Sequence, residues 1–170
     1  MTIDPRDVIW DEAQALLYHV SYAETLITAL LVRWVWLDTI TKILVAISSG
    51  GAALAGLVFW KSSDYTFLWP MFTSASTLLA IVSSQLDVAE KLKRHSTSTV
   101  ELRNLSMEIG SLIVRMKIND SFAIAEFEAQ LLDLRRKYGL ETGKFLHDLL
   151  LTRRLRNAAQ VMTNQKLDIS

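Results

Sequence analysis

Between Ile9 and Thr41, apolar residues recur at alternating steps of four and three: Leu16, Val20, Ala23, Ile27, Leu30, Trp34 and Leu37. That spacing stacks them on one face of a helix. It predicts one long helix, within a first segment 1–42. From Ile43 the periodicity gives way to unbroken apolar sequence. Ile43 to Trp60 carries no charge in 18 residues, and Tyr65 to Leu86 carries none in 22. Only Lys61-Ser62-Ser63-Asp64 separates them. Beyond Leu86 a helical period returns through Val88, Leu92, His95, Thr99, Leu102, Ser106, Ile109, Ile113 and Met116, a coiled-coil-like seam.

A helix needs roughly 20 apolar residues to cross a bilayer. The absence of apolar–polar alternation argues for helices rather than barrel strands. The expected fold is therefore an all-α membrane protein. A two-span hairpin (43–60 and 65–86, loop 61–64) lies between a long N-terminal helix (1–42) and a helical cytoplasmic tail (87–170). Arg33 and Asp38 argue against a third span at Leu26–Leu37, because a mid-membrane charge costs a few kcal/mol. That stretch is expected at the inner interface or against the tail, running on into the first span. Pro70 places the start of the second helix near Trp69, or a kink there.

In the tail, the helix is expected to continue directly from the second span. His95-Ser96-Thr97-Ser98-Thr99 is its weakest helix former, a solvated polar patch or a hinge. Asn119-Asp120-Ser121 marks a break and a cap. The next helix is expected to end at Gly139, with Ile124, Phe127, Leu131 and Leu134 on its apolar side. A last helix is expected from about Thr142, with fraying from Met162 onward.

Charge then orients the hairpin. Arg33 and Lys42 precede it and Lys91, Lys93 and Arg94 follow it, against Lys61 alone in the loop. Lys and Arg favour the cytoplasmic side, so both termini are expected there, in the inner (plasma) membrane. Trp60, Tyr65, Phe67 and Trp69 suit the outer boundary, and Trp34 and Trp36 the inner one. Residues 1–41 have a net charge of −4 and residues 87–170 of +3, within a chain of net charge zero. The two soluble arms should attract one another. A clustered basic excess is missing, which argues against a nucleic-acid partner. Mean hydropathy is +0.24 and cysteine is absent, which excludes disulfides and thiolate chemistry.

Small residues mark the hairpin's contact face. Ser48, Ala52 and Gly56, with Gly51 and Ala55, repeat every fourth position in the first run. Ser76, Ala80 and Ser84, flanked by Thr73 and Thr77, answer them in the second. In lipid such stripes let helix backbones approach closely. The same face of Ser and Thr suits a water path in a homo-oligomer. Without a charged ring, that path would be weakly selective.

Catalytic chemistry is not legible. His19, His95 and His147 lack metal-ligand spacing, and neither a phosphate loop nor a nucleophile elbow occurs. No catalytic residue, cofactor or metal is expected. Arg135-Arg136-Lys137 and Arg153-Arg154-x-Arg156 suit pairing with the acidic N-terminal helix, or anionic headgroups and phosphates.

The layout of Trp10, Tyr18, Tyr22, Trp34 and Trp36 on a long N-terminal helix, a tight hairpin with a Ser/Gly/Ala-rich first span, and a helical tail resembles the SLATT family. These are two-transmembrane effector domains found beside bacterial nucleotide-second-messenger systems. The resemblance runs from about Trp10 to Ala159. It implies a pore-forming or membrane-disrupting effector in anti-phage defence by abortive infection. It also implies a trigger from a nucleotide second messenger or a separate sensor protein. A different class of function, a non-conducting anchor or scaffold recruiting a cytoplasmic partner, fits the same layout.

Overall fold

A computed structural model describes residues 4–58, 70–71, 74–75, 77–78, 81, 87–119 and 123–167, without the side chains of 48–58. Among the described residues the chain is all-helical, with four helices and no strand. Helix α1 spans Pro5–Val58, α2 Val88–Ile118, α3 Ile124–Gly143 and α4 Arg153–Lys166. No helix among the described residues is long and apolar enough to cross a membrane. The first expected span, 43–60, is helical through Val58, with side chains described to Ile47; most of the second, 65–86, lies outside the described residues. The described residues from 70 to 81 are helical, Pro70 included.

The chain forms two compact units. The first combines residues 1–31 and 94–170; the second is Val32–Lys93. In the first unit, α1 and α2 run antiparallel. Glu24 meets Arg103 at 3.2 Å and Trp10 lies 5.0 Å beneath the Lys117 ammonium. Fourteen residues back along α1 thus correspond to fourteen forward along α2. Helices α2 and α3 obey the same rule, with Arg115 on Gln130 and Glu108 on Lys137. The core is the apolar stripe of α1 (Ala13, Leu16, Val20, Ala23, Ile27, Leu30) against Leu102, Ile109, Phe127 and Leu131, all buried. Full burial of each large side chain is worth about 1.5–3 kcal/mol.

The ends of the elements correct the sequence reading in four places. The chain does not continue as one helix past residue 86: Asp87 is a turn residue with φ of 45°, in the left-handed region that Asp tolerates. Helix α3 runs through Gly139 to Gly143; Gly139 does not take the left-handed backbone by which a glycine commonly caps a helix. The last helix begins at Arg153, where the Thr152 hydroxyl accepts from the Leu155 N–H at 3.3 Å. It holds to Lys166 without fraying at Met162, since Thr163 is fully buried and Tyr18 donates to Asn164 at 2.8 Å.

The α2 seam is also broader than expected. Its buried positions are Val88, His95, Ser98, Leu102, Leu105, Ile109, Leu112 and Ile113. Val88, His95, Leu102, Ile109 and Ile113 match the expectation. Ser98, Leu105 and Leu112 are buried in addition, whereas Thr99 and Ser106 are only half-buried. The helix passes through His95–Thr99 without a hinge; His95 and Ser98 are buried, while Ser96 and Thr97 are exposed to solvent as expected.

Candidate functional site

In the second unit the surface of α1 changes character. Val32, Val35, Trp36, Ile40, Ile43, Val45 and Ile47 are exposed, Trp36 by 65% and Ile47 by 56%. Val32, Trp36, Ile40, Ile43 and Ile47 follow steps of four, four, three and four, which makes one continuous apolar stripe. Met71, Leu78 and Ile81 are exposed as well, Leu78 by 64%. Trp34 is the exception: it is buried, with the Lys91 ammonium 5.9 Å from its ring centroid. The charges on this stretch are locally compensated, since Lys42 bonds Asp38 at 2.6 Å one turn away. Thr41 turns its hydroxyl back onto the Leu37 carbonyl at 2.8 Å. This stretch thus turns apolar side chains outward beside an exposed Lys42 that is paired with Asp38.

Most of the expected contact-face residues lie outside the described residues. Ser48, Gly51, Ala52, Ala55 and Gly56 belong to α1, but their side chains lie outside the described residues. Thr73, Ser76, Ala80 and Ser84 lie outside them entirely, and Thr77 is helical and exposed.

The first unit holds a polar pair that the sequence did not announce. His95 Nε2 meets Asp148 Oδ2 at 3.0 Å, and each side chain is only 1% exposed. The other carboxylate oxygen, Oδ1, accepts from the Leu150 N–H at 2.9 Å. This fastens the turn after α3 onto α2. One helical turn from His95, the Ser98 hydroxyl is equally buried and finds no hydrogen-bond partner among the described residues. Serine, histidine and aspartate together suggest acyl transfer, but a nucleophile must be reachable by its substrate. These groups are sealed, so the arrangement serves as a fastening.

A surface groove of about 760 Å³ runs between α2 and α3, lined in part by Asn104, Met107, Ser111 and Gln130. Its charges are mixed, and Lys137 pairs with both Glu108 and Asp133. Lys137 bonds Glu108 at 2.9 Å, and that bond raises the lysine's pKa. Asp133 is lowered by its hydrogen bond from Arg136, then by Lys137. Such a surface favours neither anions nor cations. Among the described residues, no group of three or more His, Asp or Glu is placed to hold a metal ion.

The two basic clusters separate. Arg135 pairs with Glu12, Arg136 with Asp133 at 2.7 Å, and Lys137 with Glu108. The acidic N-terminal arm thus meets the basic tail, also through Glu24, which receives Arg103 at 3.2 Å and Lys166 at 3.1 Å. By contrast, Arg153, Arg154 and Arg156 are exposed. Comparison with known protein families, curated proteins and solved structures returns no match.

Proposed function

We propose that this chain is a membrane effector. Residues 43–60 and 65–86 form a two-span hairpin with both termini on the cytoplasmic side of a bacterial inner membrane. Its small-residue faces pack into a homo-oligomer that breaches the bilayer. The observation that carries this reading is the outward apolar stripe from Val32 to Ile47. It overlaps the start of the uncharged 18-residue run Ile43–Trp60. Each large side chain left in water forgoes about 1.5–3 kcal/mol, so a stripe of this length calls for an apolar partner. The resemblance to the SLATT family supplies the biological setting: nucleotide-signalled anti-phage defence, with the helical bundle receiving the trigger.

The test is expression in bacteria with membrane potential and dye exclusion followed in single cells. Depolarisation and dye entry are expected, and both should be suppressed by Gly51→Leu or Gly56→Leu. An inserted protein that leaves potential and dye exclusion unchanged on triggering contradicts the pore. That result favours the anchor reading, for which the groove between α2 and α3 offers a partner surface.

A further inference from the structure

Helix α4 places its charge against its own electrostatics. Arg153, Arg154 and Arg156 occupy its first turn, with no acidic residue there. The N-terminal end of a helix carries partial positive charge and favours acids. Stability alone would not select three arginines at that end. They form no ion pair or hydrogen bond with another side chain among the described residues, whereas Arg135, Arg136 and Lys137 are all compensated. Helix α4 carries four cationic residues and no acid; Lys166, the fourth, is held by Glu24. The face opposite buried Leu155 and Ala159 is therefore basic at its first turn, with exposed Val161 further along.

The place of this end in the first unit matters. Asp148 is bonded to His95, and Arg153 follows five residues later, a span of at most about 17 Å. At the other end of α4, Asn164 and Lys166 reach Tyr18 and Glu24, and Glu24 meets Arg103. So α4 starts near the His95 end of α2 and finishes toward the level of Arg103. The His95 end is where α2 enters the bundle, one residue after Arg94. In the chain it is also the end that follows the second apolar run.

We propose that Arg153, Arg154 and Arg156 form a docking surface for the anionic headgroups of the cytoplasmic leaflet. This inference rests on the membrane reading given above. Charge complementarity supports it: three exposed guanidiniums, each able to bind phosphate through paired N–H groups, face a surface of negative potential. The docking holds the bundle at the bilayer, in a state that a trigger can release.

The absence of cysteine allows a single fluorophore at Asn157→Cys, on the exposed face beside the cluster. The full chain is reconstituted into vesicles of phosphatidylcholine alone, or of phosphatidylcholine mixed with phosphatidylglycerol. Both contain a nitroxide-headgroup lipid as quencher. Quenching is expected only in the anionic vesicles, with high salt reversing it. Each Arg→Gln change should weaken association by about fivefold. The triple variant R153Q/R154Q/R156Q should lose the signal while still floating with the vesicles. Equal quenching in both compositions, or an unaffected triple variant, overturns the surface while insertion stands. Failure of the chain to resist alkaline extraction overturns the membrane reading and this surface together. Quench-free binding to a soluble polyanion such as heparin, with no response to phosphatidylglycerol, overturns it in favour of a soluble acidic partner.

Discussion

Between Ile9 and Leu30, α1 buries Ile9, Ala13, Leu16, Val20, Ala23, Ile27 and Leu30, and turns Glu12 and other polar groups outward. Between Val32 and Ile47, the same helix turns Val32, Trp36, Ile40, Ile43 and Ile47 outward. Leu, Ile, Val and Trp make up ten of 16 residues in the second stretch and eight of 22 in the first. The partner differs as well. In the first unit, α2 and α3 supply an apolar surface and α4 adds Leu155 and Ala159. In the second, the stripe is uncovered. Helical periodicity predicts that one face is apolar, and leaves open what solvates it.

The sharpest way to break that comparison is to shave one residue of each kind. Leu102→Ala, at a fully buried site, should lower stability by about 2–5 kcal/mol through lost burial and a cavity. Trp36→Ser, at a site 65% exposed, should change it by no more than about 0.5 kcal/mol. Denaturant unfolding of the two variants measures both. Equal losses would mean that Trp36 is covered by protein.

Next in size is the His95–Asp148 fastening. Asp148→Ala removes the carboxylate that holds the buried His95 imidazole and the Leu150 N–H, which should cost about 3–5 kcal/mol. The double variant His95→Leu/Asp148→Ala should recover part of that loss. A double-mutant cycle reads the coupling, and strict additivity would deny the contact.

The smallest effect is alkaline. Burial, aided by nearby Tyr22, raises the Tyr138 pKa above its usual value of 10.0. A raised folded-state pKa contributes stability that is complete below the unfolded value and is lost as pH rises through the folded one. Above about pH 10, wild type should therefore lose stability more steeply than Tyr138→Phe, as thermal melts across that range will show. Parallel curves would mean that the phenol is not desolvated.

Legibility in the sequence tracked locality. The α1 stripe and the Ile124, Phe127, Leu131, Leu134 side of α3 follow from spacing alone, because neighbours on a helix face are three or four residues apart. Of these only Ile124 is exposed in the fold. The α2 seam was partly visible: Val88, His95, Leu102, Ile109 and Ile113 were legible. Ser98, Leu105 and Leu112 were not, because Thr99 and Ser106 offer an equally plausible four-three pattern. Which row faces the core is decided by what packs against it. The His95–Asp148 pair joins residues 53 apart, and no local rule connects them. The one available signal was a histidine at a seam position that usually holds Leu or Ile. The helix end at Gly143 rather than Gly139 likewise depends on backbone conformation, which composition does not fix.

The central claim, that the exposed stripe leads into a hairpin held in a bilayer, is tested most directly by cysteine mapping in intact cells. The chain contains no cysteine, so Ser63→Cys and Asn157→Cys each give one label site. A membrane-impermeant maleimide should label Ser63→Cys in intact cells and Asn157→Cys only after permeabilisation. Labelling of neither site before permeabilisation, with the protein recovered in the soluble fraction, would contradict the account.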